Sequence, residues 1–247
     1  MKLAIIGYGK MGREIEKVAL RRGHEVVCKI DIDNQADFDS DAFRSADVAV
    51  EFTNPGAARE NIRRSWEQGV PVVSGSTGWI NALTREWIKT ECANGNKLVT
   101  SANFSLGMNA MMAANKIIAR MLAPYSYYSV KLHEVHHVNK KDHPSGSAIA
   151  LADGIIEENS RYTTWQEPQA NSLHEGSIPV TYERLADAPG THEVVWDSPM
   201  CTLSIHHEAK NRDGFAIGAV VAAEWLSKNT EPGHYSMEDV LQETYNI

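Results

Sequence analysis

Apolar and polar positions switch between two periods along the first hundred residues. Leu3-Ala4-Ile5-Ile6 is an unbroken apolar run, as in a strand buried on both faces, and Met11 to Arg22 then shows helical spacing. Glu25 to Ile30 and Asp47 to Phe52 read as strands and Ala57 to Gln68 as a helix. Val70 to Ser74 reads as a strand, Leu83 to Ala93 as a helix, and Lys97 to Thr100 as a short strand. Such alternation predicts right-handed βαβ units and a doubly wound parallel sheet. Ligands of these sheets gather at the carboxyl ends of the strands, which singles out three loops: Gly7 to Gly12, Gly75 to Gly78 and Ser101 to Gly107.

The pattern then changes. A long helix, Gly107 to Leu122, leads to a strand-like segment, Tyr127 to His136, and a helix follows from about Ser147 to Glu158. Ile178 to Leu185, Glu193 to Trp196 and Thr202 to His207 are β runs with little helix among them. They predict an α+β region on a mixed open sheet whose strands are mostly antiparallel. Helical spacing resumes at Phe215 to Leu226, and the polar stretch Glu157 to Leu173 reads as a flexible loop. No internal repeat or low-complexity tract interrupts the chain.

Composition narrows the class. The 247 residues suffice for one large domain or two modest ones, and 43% hydrophobic with 23% charged residues is ordinary for a globular protein. A net charge of −8 without a basic stripe argues against nucleic acid as a partner. No apolar run approaches the ~18 residues of a membrane span. The first strand begins at Leu3, so no targeting segment is expected before it. Cys28, Cys92 and Cys201 are odd in number and widely spaced, as in a reduced cytoplasmic protein where they stand outside the chemistry.

The loop Gly7-Tyr8-Gly9-Lys10-Met11-Gly12 is G-x-G-x-x-G between a strand and a helix, the context a dinucleotide fingerprint of the Rossmann type requires. Gly7 permits the turn, Gly9 lets a pyrophosphate approach the backbone, and Gly12 lets helix and strand pack closely. Asp31 ends the second strand, where an acid meets the ribose 2′-OH of the cofactor. Lys10 and Lys29 oppose it as partners for a 2′-phosphate. One acid against two flexible lysines predicts use of NADH and NADPH within about tenfold of each other.

The richest segment is Glu134 to Ala148, E-V-H-H-V-N-K-K-D-H-P-S-G-S-A. Imidazole can release a proton near neutral pH, lysine supplies positive charge, and backbone amides at the helix start after Pro144 can bind an anion. These parts suit gripping and protonating a small carboxylate. His133-Glu134-Val135-His136-His137 also matches H-E-x-x-H, but its flank has strand alternation, and strand residues four apart lie about 13 Å from each other, too far to share one metal ion. Adjacent strand residues face opposite ways, so one of His136 and His137 suffices for chemistry. His206 and His207 end another strand with no assignable role.

These segments together resemble the dihydrodipicolinate reductase family, whose signature is close to E-x-H-H-x-x-K-x-D-x-P-S-G-T-A. Gly75-Ser76-Thr77-Gly78 resembles its G-T-T-G turn, and Ser101-Ala102-Asn103-Phe104-Ser105-Leu106-Gly107 its A-A-N-F-S-x-G segment. Gly190-Thr191-His192 and Arg212-x-x-Phe215-Ala216-x-Gly218-Ala219 match as well, so the resemblance spans nearly the whole chain.

The resemblance implies a dinucleotide-binding domain of residues 1–104 and 213–247. Residues 105–212 would form a substrate domain that assembles a homotetramer through its sheet. It implies reduction of a small cyclic imine dicarboxylate by NADH or NADPH, in diaminopimelate and lysine biosynthesis. His136 would be the proton donor and Lys140 its catalytic partner. His137, Gly146 and Ser147 would hold the substrate carboxylates, while Gly75 to Thr77 and Ser101 to Phe104 would line the cofactor. Three departures stand out: Ser147 in place of threonine, His143 in place of a small residue, and only about sixteen residues between Asp31 and Asp47, where many relatives carry a further strand–helix unit. Two other readings fit the nucleotide loop, a different NAD(P)-dependent amino- or keto-acid dehydrogenase and a non-catalytic nucleotide sensor. The latter has no use for the His/Lys cluster.

Overall fold

The computed structural model describes residues 1–168, 173–211 and 213–245, which form two compact units, Met1–Leu106 with the chain from Asp213 onward, and Gly107–Arg212. Arg212, which begins the last matched motif, lies outside the described residues.

The first unit is built on a six-stranded sheet in the order β11-β5-β4-β3-β1-β2, with every pairing parallel. Its strands are β1 (Lys2–Ile6), β2 (Glu25–Ile30), β3 (Val48–Glu51), β4 (Val72–Ser74), β5 (Lys97–Thr100) and β11 (Gly233–Tyr235). Period two explains the unbroken apolar run of β1. Leu3 and Ile5 pack with Ile15, Val18 and Ala19 of α1 (Lys10–Arg21) and with Ala216, Ala219 and Val220 of α7 (Asp213–Lys228). Ala4 and Ile6 face the other layer, against Ala58, Ile62 and Trp66 of α3 (Pro55–Glu67) and Ile88 of α4 (Ala82–Ala93). A strand covered on both faces has no position left for a polar side chain.

The short connection after Asp31 is closed by a 3-10 turn, Gln35–Asp39, and the one-turn helix α2 (Asp41–Arg44). Phe38 and Phe43, both fully buried with ring centroids 5.0 Å apart, fill the space beside β2. Like the 3-10 turn and α2, the edge strand β11 and the helix α8 (Met237–Tyr245) escaped the sequence pattern.

The second unit carries helices α5 (Leu106–Leu122) and α6 (Gly146–Glu158) and a five-stranded sheet in the order β10-β9-β6-β8-β7. The strands are β6 (Ser129–His137), β7 (Thr164–Gln166), β8 (Ser177–Leu185), β9 (Thr191–Asp197) and β10 (Thr202–Glu208). The sheet is mixed but not mostly antiparallel: β6 pairs parallel with β8 and β8 with β7, whereas β6–β9 and β9–β10 are antiparallel. The helical crossover α6 returns the chain in the original direction, which makes the strands after it parallel. β7 also falls inside the stretch expected to be loop, and residues 169–172 of that stretch lie outside the described residues. Val130 and Leu132 of β6 share a core with Met108 and Met111 of α5, Leu151 and Ile155 of α6, and Val194 and Trp196 of β9. No helix among the described residues is long and apolar enough to cross a membrane.

Candidate active site

The nucleotide loop is shaped by backbone approach. Gly7 adopts φ +91, and a Cβ there would overlap the carbonyl of Phe52; a Cβ on Gly12 would overlap the carbonyl of Gly7. At Gly9 a Cβ would meet nothing within 4 Å, so space is left over the start of α1. That helix has Gly9 at its N-cap, no side-chain cap and no acidic residue in its first turn. Unfilled amides in open space at a helix start fit a pyrophosphate. Lys10 is exposed, Met11 packs on the core, and Tyr8 donates its hydroxyl to Glu16. Asp31 follows β2 directly, and its Oδ1 accepts from Ile32 N at 2.9 Å.

The 75–77 turn is anchored by a residue for which the sequence carried no signal. Glu51, the last residue of β3, is fully buried and pairs in register with Ser74 of β4. Its carboxylate accepts from Ser74 Oγ (2.5 Å), Ser76 Oγ (2.9 Å) and Thr53 N (3.0 Å). It thus ties the 75–77 turn to the end of β3, while Gly75 packs against the Phe52 ring too closely to admit a Cβ. Thr77 and Ala102 are exposed. Ser101 Oγ donates to Asn103 O (2.7 Å), Asn103 Oδ1 accepts from Ser105 N (2.9 Å), and the buried Phe104 ring lies 5.6 Å from that of Phe52.

In the second unit, strand register assembles the chemistry. Glu134 and His136 continue the face of β6 that Val130 and Leu132 bury, so His136 points with Glu134, while His137, the last residue of the strand, alternates away from it. Across the ladders Glu134 stands opposite His192 of β9 and His136 opposite Arg184 of β8. Glu134 is fully buried, with Arg184 Nη2 3.1 Å and His136 Nδ1 3.5 Å from its carboxylate oxygens, and both oxygens accept from Ser145 N at 3.1 Å. Ser145 caps α6 through Ala148 N and meets His192 Nε2 at 3.1 Å. Gly190, at φ +139, brings the β9 entry so near that a Cβ would lie 3.2 Å from His136 Nε2.

Arg184 also donates to the carbonyls of Lys140 (3.3 Å) and Asp142 (2.8 Å), so one guanidinium joins the buried carboxylate to the loop after β6. Lys140 Nζ pairs with Asp142 at 2.7 Å. His143, the unexpected residue of the signature, stacks on Tyr182 with ring centroids 4.4 Å apart. Gly146 opens α6 and is exposed, and Ser147 beside it is half-buried. Arg184 carried no sequence signal, and Glu134 and His192 appeared only as members of motifs.

Burial governs the protonation of this group. It lowers the pKa of His136 against the opposing charge of Glu134, and lowers His192 to about 4. Burial pushes Glu134 up, but hydrogen bonds from Ser145 and Arg184 and the charge of His136 leave it below the usual value. His133 and His137 lie on a strand, so H-E-x-x-H has no helix to act on. Glu134, His136 and His192 do bring three potential ligand atoms within 4.8 Å of one another. The same carboxylate already serves a guanidinium and a backbone amide, an arrangement for orienting imidazole that opposes a further dication.

A parallel sheet with a glycine loop between β1 and α1, together with a buried histidine–carboxylate group on a second unit, defines a dinucleotide-dependent oxidoreductase. Two family models, dihydrodipicolinate reductase N-terminus and C-terminus, match residues 1–104 and 107–241. The chain belongs to the dihydrodipicolinate reductase family. It is 41% identical over 247 residues to a 4-hydroxy-tetrahydrodipicolinate reductase of Christiangramia forsetii, covering 99% of each chain. It is 32% identical over 265 residues to the one of Archaeoglobus fulgidus, covering 98% of this chain and 100% of the other. Among solved structures, the dipicolinate-bound dihydrodipicolinate reductase of Paenisporosarcina sp. TG-14 shares the fold at a TM-score of 0.75 and 22% identity, covering 97% and 98% of the two chains.

Proposed function

We propose that this chain is a 4-hydroxy-tetrahydrodipicolinate reductase, reducing a cyclic imine dicarboxylate to tetrahydrodipicolinate in diaminopimelate and lysine biosynthesis. Residues 1–104 and 213–247 hold NADH or NADPH, and residues 105–212 hold the substrate. Among the structural observations, the one that carries most weight is His136 aligned with the fully buried Glu134 at the end of β6. The chain's identity to named reductases over its whole length supports the same reading.

When bound, the reduced nicotinamide supplies a hydride to the conjugated ring carbon. Gly7 to Gly12 bind the pyrophosphate, and Gly75 to Thr77 with Ser101 to Phe104 line the rest of the cofactor. His136 donates the proton that completes the reduction, and Glu134 holds its ring in orientation. Lys140, His137 and the amides of Gly146 and Ser147 hold the two carboxylates. A positioned acid contributes typically ~10²–10⁴-fold. By the family resemblance the protein acts in the cytoplasm as a homotetramer, and the open edge of the second sheet, where β10 leaves Leu203 exposed, leaves room for a further copy to pack.

The test is a steady-state assay with enzymatically generated substrate, following NADH and NADPH oxidation in parallel. Turnover of the cyclic imine is expected. Oxidation only with other amino or keto acids would make the chain a different dehydrogenase, and no turnover with any of them would leave a nucleotide sensor.

A further inference from the structure

We infer that Glu16 makes the cofactor site select NADH over NADPH by holding Lys29 away from a 2′-phosphate. The inference rests on the proposal that the glycine loop binds a nicotinamide dinucleotide. Lys29 is two residues before Asp31, on the same side of β2, and the sequence pattern offers it as a partner for a phosphate on the adenosine ribose. In the structure that ammonium is already engaged. Its Nζ lies 2.6 Å from Glu16 Oε1 and 3.5 Å from the Tyr8 hydroxyl, 4.8 Å above the Tyr8 ring. Tyr8 completes the triad by donating to the other oxygen of Glu16. Arg13 lies over the same ring at 5.3 Å, so the second cation near Glu16 belongs to the same cluster.

The turn around Asp31 supplies no replacement. Asn34 Oδ1 accepts from Asp31 N (2.7 Å), and Asn34 Nδ2 donates to Lys29 O (2.8 Å), which fixes the turn. The next two positions are Ile32, 90% exposed, and Asp33. A ribose 2′-OH can donate to Asp31, whereas a 2′-phosphate would meet the Asp31 carboxylate in a turn, Asp31-Ile32-Asp33-Asn34, that carries no cation. Lys10 sits at the start of α1, the pyrophosphate end of the loop. On this inference, the capture of Lys29 tips the balance of one acid against two flexible lysines toward NADH.

Equilibrium titration of protein fluorescence with NADH and with NADPH, in the absence of substrate, tests this without relying on turnover. The wild-type Kd for NADPH is expected to exceed that for NADH by more than about tenfold. Glu16→Gln should tighten NADPH at least about fivefold and leave NADH within about twofold. Lys29→Ala alone should change neither affinity beyond about twofold, but added to Glu16→Gln it should erase the gain. Asp31→Asn gives an independent shift toward NADPH that leaves the triad intact. Equal wild-type affinities, or a Glu16→Gln ratio identical to wild type, would overturn the inference while leaving the dinucleotide reading in place. Binding of neither nucleotide would overturn both.

Discussion

A histidine that donates a proton must hold one when the substrate arrives, and burial works against this at His136. Glu134, 3.5 Å away, opposes the loss, and a bound dicarboxylate would oppose it further by adding negative charge nearby. On the proposed role of His136 the acid form is the active one, so kcat/KM should fall as pH rises through a value lowered from that of an ordinary histidine. The corresponding fall in kcat should occur at higher pH, because that limb reports the substrate complex. His136→Gln should lower kcat about 10²–10⁴-fold with NADH affinity unchanged, whereas Lys140→Ala should act more strongly on KM. Steady-state profiles with a nucleotide titration separate the two roles. A His136→Gln enzyme with near-normal kcat would assign the proton to another group.

At the scale of elements, close backbone approach fixes how α7 lies against the end of β5. Gly218 is buried, and a Cβ there would overlap the carbonyl oxygen of Phe104, which nothing short of moving the helix or the loop relieves. Gly218→Ala should therefore cost about 3 kcal/mol or more. Gly214, one turn earlier on the same helix, has only Ser105 Oγ at 4.0 Å from the built Cβ. Gly214→Ala should be neutral or stabilise by up to ~1 kcal/mol through helix propensity. Urea unfolding of the two variants compares the same substitution at two depths of one helix. Equal effects would show that Phe104 yields easily, and that α7 is not held by this approach.

For the molecule as a whole, the buried imidazoles make stability depend on pH. His192, lowered from 6.5 to about 4, binds a proton more readily in the unfolded chain. Its contribution is fully present above pH 6.5 and is lost as pH falls toward about 4, with His136 shifted in the same direction. At ~1.36 kcal/mol per pKa unit, the His192 share lost between pH 7 and pH 5 is about 2 kcal/mol. Urea unfolding at the two pH values should show that loss in the wild type and a smaller one in His192→Asn. An unchanged pH dependence in the variant would place the proton uptake elsewhere.

The doubly wound sheet was legible because strands buried on both faces exclude polar side chains, and β1 records that in four consecutive letters. The nucleotide loop and the His136-to-Ser147 segment were legible because their parts are contiguous, so local chain geometry alone brings them near one another. The direction of the strands after α6 was not, since a period of two is the same whether a strand pairs parallel or antiparallel. β11, three residues long, is too brief for a period to register. Glu134 meets Arg184, 50 residues away, through strand pairing. Glu51 meets the 75–77 turn in the same manner. Lys29 illustrates the limit most sharply: its charge and its side of β2 follow from the sequence. Its capture by Glu16 depends on the packing of α1 beside β2, because a side chain's freedom is decided by the neighbours that folding supplies.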